Sequence, residues 1–457
     1  MARTTSNFRR KPPGPRLQLF QAPKTLTPEA TASIPIASKK HPLPTSPPSQ
    51  PAKRLKQTAL NTPPTTKLNI YVCGDGESGE LGLGHTVIDG KKPTGVKRPR
   101  LNPLLPASTV GVVQIAAGGM HCVALTHDQQ ILTWGVNDDG ALGRETAWEA
   151  PMRDADAVSD EGSEDEGDLN PKESTPTAIP REAFDNVPGL FVQVVALDSA
   201  SFALTSTGSV YGWGTFRAND GILGFAASTA LSSSKSKKFQ RTPTLLPSLT
   251  KITSLAAGNN HILALSATGH VFTWGTPEQS QLGRRLPRSR ITALTPSPVA
   301  LPPITKIACG AYHSFALTSS GDVIRDIAGG EHHSLACTSD GRVLIWGRCD
   351  DNQAGLNLSA LPAQSLVFDA HGRPRILAPT LIPGLGSVMA VAAGIDNSFA
   401  VTQQGTANAW GYSENYRTGL GTVETPETPV LVAEGKVISV AACGGQFSVL
   451  AGPGGSI

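Results

Sequence analysis
The chain is short of charge and of aromatic rings: across 457 residues only 16% are Asp, Glu, Lys or Arg and 5% are Phe, Trp or Tyr. With 39% hydrophobic residues it can still bury a large core. No apolar run approaches a membrane span, so no membrane partner is expected. The N-terminus also lacks a secretory hydrophobic segment. The cysteines, Cys73, Cys122, Cys309, Cys337, Cys349 and Cys443, have no Cys-x-x-Cys spacing, which argues against a redox motif or a zinc site and for reduced thiols in the core. A Walker loop, a His-Glu-x-x-His helix and a Gly-x-Ser-x-Gly elbow are all missing. One G-x-G-x-x-G occurs at Gly74, Gly76 and Gly79, but the HTVIDGKKP after it cannot make the helix a dinucleotide site requires. No metal and no cofactor is expected. What the chain has in plenty is 47 Gly and 37 Pro, which suit a turn-rich β protein.

The glycines belong to a repeat. A small-residue and glycine step, an apolar strand, a glycine hairpin, a Trp-Gly pair and a Leu-Gly loop follow one another in AAGGMHCVALTHDQQILTWGVNDDGALG, Ala116 to Gly143. The Trp-Gly pair recurs at Trp134, Trp213, Trp274, Trp346 and Trp410, with Cys73-Gly74 in the same slot of the first copy. The glycine step recurs at Gly118, Asp198, Gly258, Gly310, Gly329, Gly394 and Gly444. Strand pairs of this kind bury one face by radial stacking. The reading is therefore all-β: a seven-bladed propeller design with four-stranded blades over residues 67–457. The first copy has only a second half and the last copy only a first half, so the two termini are expected to share one blade. The copy at residues 307–326 stops short near Val323-Ile324 without its Trp-Gly strand, which predicts an open sheet edge.

Charge is unevenly placed. Residues 1–66 carry eleven Lys or Arg against Glu29 alone and read as a disordered basic tail. Within it, Lys39-Lys40 and Lys53-Arg54 with Lys56 fit the two parts of a nuclear import signal, read by an import receptor. Arg9, Arg10 and Lys11 suit a phosphate backbone. An acidic insertion at about residues 149–178 reads as a solvated loop. A cluster of Arg284, Arg285, Arg288 and Arg290 follows one Leu-Gly loop, either as a bland solvated connection or as an anion contact. Histidines recur at one register as His121, His261, His313 and His332, which favours a structural role. Departures from the register carry the functional signal: Asp198 in place of a glycine, the TFRANDG loop from Thr215, and Glu331-His332-His333. All arise from turns of one type, which favours a protein-binding face over a catalytic pocket.

The unit resembles the repeat of the regulator of chromosome condensation family from about Asn69 to Ala451. GGMHCVALT, WGVNDDGALGR, WGTFRANDG, GAYHSFAL, GGEHHSLA and SENYRTGLG are similar to the family's nuclear exchange factors for the small GTPase Ran, in a fungal form. The resemblance implies an exchange factor without covalent chemistry, nuclear and chromatin-bound, that generates nuclear Ran-GTP. Its partners would be Ran, the nucleosome and an import receptor. It places Asp198 and His332 on the Ran-facing rim, with Asn260, Glu331 and His333 beside them, and Phe216, Arg217, Asn219 and Asp220 in a wedge at the nucleotide site. Arg284, Arg285, Arg288 and Arg290 match a loop that meets histones. The chain departs from the family pattern at Asn260, where an acid can stand, and at Phe447, where the last copy usually has His. The rival expectation is a propeller adaptor of the same family without exchange activity.

Overall fold
A computed structural model describes residues 59–86, 92–150, 168–185, 187–226, 237–286, 290–321 and 323–455. The basic residues Arg9, Arg10, Lys11, Lys39, Lys40, Lys53, Arg54 and Lys56, together with Arg288 and most of the acidic insertion, lie outside them. Among the described residues the single α-helix is the one-turn segment Pro171–Ser174, and no helix is long and apolar enough to cross a membrane.

The blade follows from the repeat. In the Trp134 blade, strands Val112–Ala117, His121–Thr126, Ile131–Gly135 and Thr177–Ala178 pair in antiparallel order, so the end of the expected acidic insertion closes the sheet. The Trp213, Trp274 and Trp410 blades repeat this four-strand order. The Trp346 blade adds a fifth strand, Leu366–Phe368, outside Pro374–Ile382. The terminal blade joins Leu68–Gly74 and Val96–Leu101 to Val440–Cys443 and Phe447–Pro453.

The structure corrects the expected seven blades to six, mostly of four strands. The short unit makes only an isolated two-stranded sheet, Lys306–Cys309 with Ser314–Leu317. The reason is chain length: after Leu317 a turn at Ser319–Gly321 leads directly into the inner strand Ile324–Gly329 of the next blade, leaving no residues for outer strands.

Inner strands surround a channel of about 340 Å³ lined mainly by Ala and Gly. At its mouth, backbone bonds step from unit to unit: Gly119 N donates to Leu197 O, Asp198 N to Asn259 O, Asn259 N to Ala311 O, Ala311 N to Gly330 O, Glu331 N to Ile395 O and Gly445 N to Gly119 O. Side chains reinforce these bonds further out, where His121, His261, His313 and His333 each place Nε2 2.8–3.0 Å from the hydroxyl of Ser201, Ser314, Ser334 and Ser398 on the next unit. Burial lowers the pKa of all four, to about 4 for His121 and His261 and about 3 for His333. They are neutral struts at pH 7.

Burial also holds the thiols in the protonated form: Cys73 and Cys443 are pushed up to about 12, and Cys122 well above the usual range. The segment expected to be tail meets the propeller at the face opposite the mouth, where Asn61 Nδ2 donates to Thr205 O and Ile252 O.

Candidate functional site
Two registers read from the sequence shift by one residue in three dimensions. Gly118 N donates to His121 O, and the matching bonds are Leu197 N to Ala200 O and Gly330 N to His333 O. Leu197, not Asp198, therefore fills the glycine slot. His333, not His332, belongs to the strut series; it is 1% exposed. Asp198 and Glu331 then fall in one common slot, the position immediately after the step, where each contributes a backbone N–H to the ring at the mouth. His332 falls in the outward slot shared by Met120, Asn260 and Tyr312.

Those shifts place the acids and their neighbours on one surface. Asn260 Nδ2 donates to Asp198 Oδ2 at 3.0 Å, and Asn260 Oδ1 accepts from Arg217 N at 2.9 Å. Arg217 in turn pairs with Asp139 at 2.7 Å, its own side chain half exposed. Across the mouth His332 Nε2 lies 3.8 Å from Glu331 Oε1, and the His332 ring lies 5.9 Å from that of Tyr312. Burial raises the Asp198 carboxyl to about 7; Asn260 and Arg217 pull it down, and Glu331 pushes it up. Burial likewise raises Tyr312, with Glu331 and Asp198 adding to it.

The TFRANDG loop is a β-hairpin, Phe216–Ala218 with Gly221–Gly224. Its root is apolar: Phe216 is 1% exposed and packs 6.1 Å from both Phe202 and Phe225. Its backbone is pinned on one side by Thr276, whose hydroxyl donates to Arg217 O, and at the turn by Glu278, which accepts from Asn219 N at 2.9 Å. Arg217 and Asn219 project over a cleft of about 80 Å³ shared with Asn260, Gln281 and Tyr312. Asp220 sits in the turn. The hairpin is thus an anchored projection rather than a loose loop, and Phe216 acts as its root, not its tip.

Two sequence candidates separate from this surface. Arg284 spends its guanidinium on Thr273 Oγ1 and O and on Thr295 O, as Arg144 does on Thr133. It is a brace of the repeat, while Arg285 is exposed beside it. Phe447 fills the strut slot of the last copy inside the core at 1% exposure, so that departure is buried, whereas Asn260 stands on the surface.

The sequence reading missed Asp139, Glu278 and Tyr312. It missed also Arg348, which meets Asp350 at 2.6 Å, Asp351 at 3.0 Å and Asp396 at 3.6 Å on the far side of the mouth. The signal for Asp139, Glu278 and Arg348 lay in the loops after each Trp-Gly pair, and that for Tyr312 in the glycine-step turn, all of which reach the same face. The resulting rim is dominated by carboxylates, suited to a basic protein surface and furnished with no cluster among the described residues that could hold a metal.

Comparison with known proteins gives concordant results. The model of the RCC1-like domain matches residues 69–325, and that of the regulator of chromosome condensation (RCC1) repeat matches 324–355. The chain is 39% identical to the protein pim1 of Schizosaccharomyces pombe over 88% of this chain and 81% of that one. It is also 39% identical to the guanine nucleotide exchange factor SRM1 of Saccharomyces cerevisiae, over 84% and 87%. The crystal structure of Prp20p from Saccharomyces cerevisiae, described with its binding to Gsp1p and histones, aligns with a TM-score of 0.73 at 37% identity, covering 87% of this chain and 93% of that one. The yeast protein bound to Kap60 gives 0.74 at 35%, covering 93% and 96%.

Proposed function
This chain belongs to the regulator of chromosome condensation family, and we infer that it is a guanine nucleotide exchange factor for a Ran-type GTPase, nuclear and working on chromatin. It performs no covalent chemistry. Nucleotide release is accelerated because the factor binds the nucleotide-free GTPase more tightly than the loaded one; equal affinity for both would shift nothing. Histones and a nuclear import receptor are its other partners.

The observation that carries the assignment of the exchange surface is the convergence of the repeat's departures on one face: Asp198, Asn260, Arg217 and Asp139 in one hydrogen-bonded chain, with Glu331 and His332 across the mouth. In this reading the acidic rim orients the GTPase and the hairpin does the prying. Arg217 and Asn219 enter the nucleotide site, Phe216 transmits the load into the core, and Asp220 shapes the turn. Arg285, with Arg288 and Arg290, meets the histone surface. Arg9, Arg10 and Lys11 add phosphate contacts, and Lys39, Lys40, Lys53, Arg54 and Lys56 are read by the import receptor.

GDP release from purified Ran tests the exchange surface. The wild-type chain is expected to accelerate it and an Asp198→Ala, Arg217→Ala double variant to lose most of that acceleration. Equal rates for the two proteins would dismiss this surface, and a wild-type rate no faster than Ran alone would leave the adaptor reading standing. Removing residues 1–58 is expected to flatten the salt dependence of nucleosome binding while leaving GDP release unchanged.

A further inference from the structure
In three blades the tryptophan of the third strand reaches across to the blade before it. Trp134 Nε1 donates to Glu80 O at 2.9 Å, Trp213 Nε1 to Ala141 O at 2.8 Å and Trp410 Nε1 to Gln353 O at 2.9 Å. A neighbouring strand sends a second donor to the same carbonyl: Cys122 Sγ at 3.9 Å, Ser201 Oγ at 3.0 Å and Ser398 Oγ at 3.4 Å. The carbonyl belongs to the loop after the preceding Trp-Gly slot, and the glycine two residues further along the loop packs against the indole. At Gly82, Gly143 and Gly355 φ is positive, and a Cβ would come within 2.5–2.8 Å of the indole ring.

The Trp346 blade keeps the donors and lacks the loop. The unit before it is the two-stranded remnant Lys306–Cys309 with Ser314–Leu317. Trp346 is consequently half-buried, whereas Trp134, Trp213, Trp274 and Trp410 are wholly buried. Ser334 Oγ meets His313 Nε2 and no loop carbonyl. Phe315 packs edge-on against Trp346, with ring centroids 6.2 Å apart, at the floor of the opening. The strand Ser314–Leu317 alternates exposed and half-buried residues, while its counterparts such as His121–Thr126 and His333–Thr338 are buried throughout. Val323, at the other end of the notch, is 65% exposed.

We propose that this notch is a docking site for an extended segment of a partner protein, one that pairs as a third strand with Ser314–Leu317 and continues into a loop offering a carbonyl to Trp346 and Ser334. The occupant's chemistry is fixed by the three filled sockets: a β-strand, then an apolar residue followed by glycine in the left-handed region, the glycine seated on the indole. A second copy of this chain does not fit, because the open edge is recessed by two strand widths, about 10 Å. The outer strands of the Trp274 and Trp346 blades flank it, and in two facing copies they would collide before the edges reached pairing distance. A free segment enters without that obstacle.

The probe is the peptide ILTWGVNDDGALGRE, residues 131–145 of this chain, which makes the same strand and loop in the Trp134 blade. With a fluorescent label it is titrated into the full chain and read by anisotropy, and amide hydrogen exchange is followed over Ser314–Leu317. Saturable binding is expected, weakened about tenfold or more when the peptide carries Gly143→Val or the chain carries Trp346→Ala, together with slowed exchange along Ser314–Leu317. The peptide variant leaves the chain untouched, so misfolding of the Trp346→Ala chain cannot mimic the result. The proposal is overturned by absence of saturation at about 1 mM peptide, by equal binding of the Gly143→Val peptide, or by a chain that dimerises with Ser314–Leu317 protected before any peptide is added.

Discussion
Replacing Asp198 by Asn is expected to stabilise the protein and impair it at once. The exchange of one oxygen for an amide keeps the shape and the contact with Asn260, so what changes is charge. In the folded chain burial carries the carboxyl from 3.8 to about 7. An acid whose pKa is raised by folding binds more protons in the native state between those values, so its contribution falls as pH rises from 3.8 and is fully lost above about 7. The full cost above pH 7 is on the order of 4 kcal/mol, trimmed to about 2 kcal/mol because the mouth is partly open to solvent. The Asn variant escapes that cost, and at about pH 8 its thermal midpoint should stand about 2–3 °C above wild type, with the gap narrowed to about a third at about pH 5 and closed at about pH 4. If the ionised carboxylate is what meets the GTPase, the same variant should release GDP roughly ten- to a hundredfold more slowly at about pH 8, the worth of a charge-assisted hydrogen bond. Wild-type activity should fall toward the variant's as pH drops through 7. A variant that releases GDP at the wild-type rate at about pH 8, or whose midpoint shifts equally at both pH values, refutes the reasoning.

Other consequences are open to direct measurement. Trp410→Phe should cost about 2–3 kcal/mol, through a lost hydrogen bond and an unfilled socket, and Trp346→Phe under about 1 kcal/mol, because its socket is already empty. Equal shifts in denaturation midpoint would contradict the six-blade account. Three of the strut histidines, His121, His261 and His333, have folded pKa values lowered from 6.5 to about 4 or 3, so their contribution is complete above pH 6.5 and drains away as pH falls toward 4. His333→Gln should lower the steepness of that acid loss by about one proton, and an unchanged slope would remove His333 from the series. Arg285→Ala is expected to weaken nucleosome binding without moving the thermal midpoint, while Arg284→Ala lowers the midpoint by breaking its bonds to Thr273 and Thr295. Reversal of those two phenotypes would exchange their roles.

The unit was legible because its markers are local. A glycine hairpin needs glycine, a β-strand needs alternation, and the Trp-Gly pair marks a strand end whose indole crosses to the neighbouring blade. The same locality made Asp198, the TFRANDG loop and Glu331-His332 stand out. Register was less legible, since GGEHHS offers two histidines and two glycines to one slot, and only the bond from Gly330 N to His333 O chooses between them. Arg284 and Arg285 are adjacent and alike in type, yet one is a brace and the other an exposed cation, because only Arg284 reaches back from the loop to Thr273 and Thr295.

By itself the sequence determined the β-hairpin unit, its recurrence, the shortage of residues in the fifth copy and the family to which the copies belong. Those are properties of short stretches and their order, carried by turn chemistry and apolar spacing. Tertiary structure decided how many blades result, because a blade exists only when outer strands are present to pair. It decided also which departures meet at the mouth, since Asp139, Arg217, Asn260 and Asp198 span three units and touch only when the propeller curls. The opening beside Trp346 belongs to the same class: a missing loop is visible in the sequence, but the empty socket it leaves exists only between neighbouring units in space.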